Sequence, residues 1–406
     1  MVFPVFRLYA GAMAETPYRR RLWPLLFLPT LILIAAIGWS GFWWFSASQV
    51  DRIVDAWRTR EAAAGRVYDC GERSVAGYPF RLEVRCRDAS VTLTNQTAAQ
   101  AASAGQVTAK LGEILVVSSL YQPKLLIAEF KAPASFNGPG APPMVLNWET
   151  ARSSVAGLPG PPQRIALVFD APSLNRTDGP TPVPMARARH AEMHVRQVDG
   201  AAPGQHNLEA DLVLEGASVQ DVHPLLADAF DGHVRLVLSG LNDFRPKPWP
   251  VRFRELQQAG GRIEITQARI QQGDMIATAT GSLGLTPSGN VEGELQVLAT
   301  GLDKVIPKLG IEQALEQGVS QSAIDRVAPG VRAKDVNNIL GALDRAIPGL
   351  GRVVRQNANA GVAAGIDALG QAAVLEGKPA RAFPLRFVEG AVMLGPFKVA
   401  QMKPLF

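Results

Sequence analysis

Apolar and polar positions alternate along most of this chain, most clearly between 262 and 298. Ile263 and Ile265 alternate with Glu264 and Thr266, and Val291, Gly293, Leu295 and Val297 alternate with Glu292, Glu294 and Gln296. Successive side chains of a strand point to opposite faces, so a period of two predicts an antiparallel meander with one apolar and one wetted face. Gly273-Asp274 and Thr286-Pro287-Ser288-Gly289 supply its turns. Shorter runs predict further strands at 90–94, 114–120, 124–130, 144–153, 164–170, 186–198, 207–215 and 233–239. A small-residue linker at 98–105 and Pro- and Gly-rich breaks at 132–143, 157–163, 177–184 and 242–250 part them. Strands do not alternate with helices, which argues against a doubly wound nucleotide fold.

The period changes after Gly301. Val336, Ile339, Leu340, Leu343 and Ile347 have helical spacing, closed by Pro348-Gly349, and weaker helical patterns cover 303–318 and 350–369. A helical insert over 302–375 is expected to pack on the sheet. Strand alternation returns at Phe383, Leu385 and Phe387, turns at Glu389-Gly390 and ends with Val392 and Leu394.

The N-terminus follows a third pattern. Residues 1–21 read as a cytoplasmic tail ending in Arg19-Arg20-Arg21, and 22–45 as an uncharged transmembrane anchor. Leu25 to Trp44, as a helix, matches the roughly 30 Å hydrocarbon core. Trp39, Trp43 and Trp44 crowd its far end, where indoles favour the membrane interface, and the arginines favour the cytoplasmic side. The body beyond it is then periplasmic. Ser46-Ala47-Ser48 resembles a cleavage site, so a removed signal peptide is the competing reading. The long apolar run favours a retained anchor. Val50, Ile53, Val54 and Trp57 then predict a short amphipathic helix packing its stripe on the first strands.

Both cysteines of the chain, Cys70 and Cys86, flank Gly77-Tyr78-Pro79. Phe80, Leu82, Val84 and Cys86 alternate with Arg81, Glu83, Arg85 and Arg87. A hairpin folded at the Gly-Tyr-Pro turn sets Cys70 opposite Cys86 and predicts a disulfide, hence an oxidising compartment. Strict pairing would oppose Glu72 to Val84, so a bulge or a shifted register is expected. The alternative is a pair of buried thiols.

The formal charge is +5, but Arg7, Arg19, Arg20 and Arg21 against Glu15 supply most of it. No basic stripe with interleaved aromatics remains to mark a nucleic-acid binder. His190-Ala191-Glu192-Met193-His194 is the one segment resembling a metal motif. Its Glu follows the first His by two residues, and its alternation is that of a strand, so solvent-facing histidines are the reading. His206, His223 and His233 have no metal spacing. Gly349-Leu350-Gly351-Arg352 lacks the third glycine of a dinucleotide loop, and Glu312 and Glu316 read as a wetted helix face. No nucleophile elbow or Walker loop is present. No catalytic residue, metal or cofactor is expected, and the protein reads as a non-enzyme.

Three features resemble one bacterial family. They are the anchor; the Cys70…Gly77-Tyr78-Pro79-Phe80-Arg81-Leu82…Cys86 segment; and the ending Phe383-Pro384-Leu385-Arg386-Phe387-Val388-Glu389-Gly390…Leu394-Gly395-Pro396. The chain resembles the domain-of-unknown-function 2125 family, with Glu389-Gly390 where that family often has Asp-Gly. The family has no established activity, so the resemblance implies no catalytic residues. The segment 281–301 also resembles, weakly, the C-terminal repeats of AsmA-like envelope proteins.

The expected fold is mainly β. A transmembrane helix precedes an elongated, curved antiparallel sheet body (46–301), the helical insert follows, and residues 376–406 complete the sheet. The expected role is an inner-membrane-anchored periplasmic protein that binds lipid or another amphiphile on an apolar sheet face. The alternatives are an envelope scaffold or assembly factor with a protein partner and, more distantly, a cell-envelope enzyme. Membrane, lipid and protein are thus the expected partners, and nucleic acid is not.

Overall fold

The computed structural model describes residues 23–93, 106–158, 160–200, 202–222, 224–245, 247–302, 370–394 and 397–406, with isolated positions between 303 and 369. The chain divides at Ile53 into two compact units. One helix, α1 (Trp23–Ala63), holds a stretch long and apolar enough to cross a membrane.

The second unit begins with the last turns of α1. They lie along β1 (Arg66–Ala76) through Trp57 against Tyr68, ring centroids 4.6 Å apart, and through Arg58–Asp69 and Arg73–Asp55 ion pairs at 2.9 Å. Trp57, of the expected apolar stripe, takes part in this contact. A polar clasp does the rest. β2 (Arg81–Leu93) returns beside β1, and the expected strand at 90–94 is its second half.

The ladder continues through β3 (Val107–Ser119) and β4 (Gln122–Gly138). Then come β5 (Ala141–Asn147), β6 (Thr150–Ala156), β7 (Arg164–Asp170), β8 (Ser173–Arg176), β9 (Val183–Arg187), β10 (His190–Val198) and β11 (His206–Val219). After a short turn of helix, α2 (Pro224–Ala227), β12 (Phe230–Leu241) leads to α3 (Trp249–Gln258). The meander is β13 (Ile263–Gln272), β14 (Met275–Leu285) and β15 (Val291–Thr300). The C-terminal strands are β16 (Gln371–Leu375), β17 (Lys378–Val388), β18 (Ala391–Leu394) and β19 (Phe397–Gln401). Every pairing is antiparallel, in one large sheet.

β4 and β11 are long enough to pair with two neighbours along one edge. Residues 125–129 of β4 pair with β6 and 134–138 with β5; 207–215 of β11 pair with β10 and Ser218-Val219 with β9. The pairings β4–β6–β7–β10–β11 and β11–β9–β8–β5–β4 therefore close a ring. Gly216, at φ +57, marks the point in β11 where pairing passes from β10 to β9, a conformation that costs glycine least.

Within this ring Trp148, Ala134 and Ala151 are buried, with Phe130, Phe136, Leu146 and Phe169 packed on them. The Trp148 indole N–H donates to the Phe130 carbonyl at 2.9 Å, and its ring meets Phe169 edge-on. Elsewhere burial is sparse. Half of the buried apolar side chains among the described residues are alanine.

Most of the expected insert, 303–369, lies outside the described residues apart from a few positions. Its end is not helical, because Gln371–Leu375 forms β16 and pairs with β17 around Glu376-Gly377. Both turn residues have positive φ, 49° and 76°, the twist that joins two strands by a two-residue turn. Glu389-Gly390 does the same between β17 and β18, at 49° and 79°. Glu389 thus adopts the turn conformation despite standing where the family often has Asp.

Candidate functional site

The register of β6, β7, β10, β11, β12 and β13 sorts the side chains into two faces. On one lie Thr150, Asp170, His190, Glu192, His194, Arg196, Glu209, Asp211, His233 and Arg235. His190 bonds to Asp170 through Nδ1 and to Glu192 through Nε2, both at 2.7 Å, and His194 reaches Glu192 at 3.0 Å. Thr150 donates to Asp170. Glu192, then Asp170, raises the His190 pKa by bonding to its protonated form. The two histidines thus share a carboxylate on a strand face. No group of three His, Cys, Asp or Glu residues among the described residues could hold a metal ion.

The opposite face is apolar and falls into four rows. Ala151, Phe169, Ala191 and Leu214 form the first, within the ring. Ser153, Leu167, Met193, Leu212 and Val234 form the second; Val155, Ile165, Val195, Ala210 and Leu236 the third; and Leu208, Leu238 and Ile263 the last. The first row is the best covered, with Ala151 3% exposed. Met193 and Leu212 in the second are 36% and 38% exposed, high for large apolar side chains on a sheet face.

α3 lies over the last rows, where Ile263 is still 37% exposed. It starts with Pro250 inside its first turn and spaces Phe253 and Leu256 by three, so both can face the sheet. Four charges hold it. Lys247 reaches Asp243 at 2.8 Å and Glu255 at 2.6 Å; Arg252 reaches Asp243 at 3.0 Å and Glu255 at 3.2 Å. Lys247, and then Arg252, holds the Asp243 carboxyl down at about 2. Between α3 and the sheet lies a cleft of 460 Å³ lined by Ile165, Val195, Leu208, Leu238, Phe244 and Phe253, among others. A polar cleft of 380 Å³ is lined by Arg164, His194, Val195, Arg196, Glu209, Asp211 and Arg235. Arg164, Val195 and Arg196 border both clefts.

The membrane-interface tryptophans lie on α1, with Trp39 and Trp43 half-buried and Trp44 71% exposed; Arg19, Arg20 and Arg21 are outside the described residues. The Gly77–Leu82 motif builds the β1–β2 turn. Gly77 has φ +100, and a side chain there would meet the Arg81 carbonyl at 2.7 Å. Phe80, expected as the first residue of the alternating strand, precedes β2. It belongs to the turn, is 54% exposed and tilts against Tyr121, 6.0 Å away. Gly390 takes its turn position, while Gly395 and Pro396 are outside the described residues.

The disulfide joins Cys70 and Cys86, with Cα atoms 5.7 Å apart. The register differs from the expected one: Cys70 faces Ala89 and Cys86 faces Arg73. Asp88, at φ +52, interrupts the alternation beside Gly71, where a side chain would meet the Asp88 Cβ at 3.2 Å. The register is the same on both sides of Asp88, so the shifted register and not a bulge is what the structure shows, and the disulfide joins residues that strict pairing would set three positions apart.

Sequence reasoning missed α3, whose start it placed in a break at 242–250. The signal was present as Pro250 followed by Phe253 and Leu256. It also missed Arg164 and Arg196, which only the β7–β10 register sets opposite each other. Residues 312, 316, 349 and 351 lie outside the described residues.

The disulfide and the apolar helix are together consistent with a membrane-anchored exported protein. No curated protein and no solved structure matches the chain, so the likeness to AsmA-like proteins is not shown. A family profile described as "uncharacterized protein conserved in bacteria" matches residues 43–403, from the end of the apolar run to the last strand. The chain belongs to the DUF2125 family.

Proposed function

We propose that this protein is a non-enzymatic inner-membrane protein whose periplasmic body binds lipid or another amphiphile on the apolar face of its sheet. The observation that carries this reading is the second row of that face, where Met193 and Leu212 are exposed between better-covered rows. Adjacent, partly exposed apolar side chains on a sheet face are what such a binding surface would present. The candidate membrane span supports the reading, since a membrane would supply the amphiphile, and the disulfide suits an oxidising periplasm.

Mass spectrometry of the full chain, extracted in mild detergent, tests the reading. Copurifying lipid that is lost on Met193→Glu with Leu212→Glu supports it. A lipid-free chain that crosslinks in cells to one stoichiometric protein partner supports the envelope-scaffold reading instead.

A further inference from the structure

Resting on the membrane anchor in that reading, though not on amphiphile binding, we infer that the end of the sheet carrying Tyr78, Phe80, Tyr121 and Trp249 seats in the interfacial layer of a phospholipid bilayer. The register traces that end. Arg81 opens β2 opposite Ser119, and Gln122 opens β4 opposite the same Ser119. Leu125 faces Ala156, Ala156 faces Arg164 and Arg164 faces Arg196. Val198 faces Asn207, and His206 faces Leu241, after which the chain runs on into α3. The turns at 77–80 and 120–121 and the segment bearing α3 therefore share one end.

These four are the aromatic side chains of the second unit, among the described residues, that are more than half exposed. The opposite end, at Val222 and Val374, exposes aliphatic side chains and no such aromatic among the described residues. Tyr and Trp rings have an apolar body and a polar tip, which suits the headgroup layer of a bilayer. The chain path points the same way. Within the second unit Arg58 reaches Asp69 and Asp55 reaches Arg73, so each step back along the helix leads toward the β1–β2 turn. That unit starts at Val54. Residues 46–53 alone separate it from the apolar run ending at Phe45, and even extended they span no more than about 30 Å. A tether so short, arriving from the side of the β1–β2 turn, can hold this end at the bilayer surface. A soluble partner would place no such demand on which end carries the aromatics.

The test uses the full chain in phosphatidylcholine nanodiscs, with spin-labelled phosphatidylcholine as quencher. Both native cysteines lie in the disulfide, so one introduced cysteine carries a fluorophore. Gln122→Cys reports on the aromatic end, and Val222→Cys and Val374→Cys on the opposite one. β17, of 11 residues, spans about 36 Å, which sets the opposite end beyond reach of a headgroup label. Gly38→Cys, read with an acyl-chain label, checks the span itself. The Gln122 probe should lose about half or more of its emission to the headgroup label, as an interfacial site does, while the Val222 and Val374 probes keep theirs. Tyr121→Ser with Trp249→Ser should remove most of that loss at an unchanged melting temperature, and Tyr121→Phe with Trp249→Phe should retain it. Equal quenching at both ends, none at Gln122, or quenching that survives the serine pair overturns the inference and leaves the anchor and amphiphile binding standing. A Gly38 probe that stays unquenched overturns the anchor and the inference with it.

Discussion

Trp148 lies within the closed ring of strands, so its replacement tests whether that ring forms the core. It is 9% exposed, and a buried indole removes roughly 200 Å² from water. At about 25 cal/mol per Å² this is worth about 5 kcal/mol, and partial collapse of the site offsets some of the loss on truncation. Trp148→Ala should therefore destabilise the body by about 4 kcal/mol. Trp148→Phe keeps an aromatic ring but deletes the indole N–H donated to the Phe130 carbonyl, and should cost about 1–2 kcal/mol. Trp249 is 71% exposed, and Trp249→Ala should fall within about 0.5 kcal/mol of the parent. The assay is urea unfolding of the full chain in nanodiscs, followed by far-ultraviolet circular dichroism. If Trp148→Ala and Trp249→Ala unfold at the same midpoint, the ring is not the core and the reasoning fails.

Replacing both Cys70 and Cys86 by Ser should cost about 3 kcal/mol, set by the loop closed across a separation of 16 residues, and is read from the same urea midpoints. Gly281→Ala should cost more than about 2 kcal/mol, because φ is +148° and a side chain would lie 2.2 Å from the Glu294 carbonyl; limited proteolysis of β14–β15 should accelerate. The folded pKa of His190 is raised, so its stabilisation is full below about 6.5 and is lost as pH rises through the higher folded value. Urea midpoints should fall with pH across that window less steeply in His190→Gln than in the parent. Asp243 titrates at about 2 when folded against 3.8 ordinarily, so its clasp on α3 is complete above 3.8 and lost as pH falls toward 2. Amide exchange in 249–258, corrected for its intrinsic pH dependence, should speed up over that range. Asp243→Asn should show faster exchange already at pH 7.

The sequence by itself determined the features whose cause is local. Alternation at Ile263–Thr266 and Val291–Val297 reflects a backbone whose side chains change face at every residue, so those strands and their apolar side were legible without any partner. The same holds for the uncharged run Leu25–Trp44, which length and composition alone make a membrane-span candidate. It holds too for the turn at Glu389-Gly390. Only the tertiary structure decided which strands meet. β4 and β11 each pair with two neighbours along one edge, and nothing in their own residues announces the second partner. Cys70 and Cys86 were legible as a pair but not in register, because the β1–β2 turn sets Ala76 opposite Glu83 and not opposite Phe80, and that offset runs through the whole ladder. Arg164 and Arg196 lie far apart in sequence and face each other only through the β7–β10 register. Face is set by a period of two within one strand, whereas register is set by turns, bulges and distant partners.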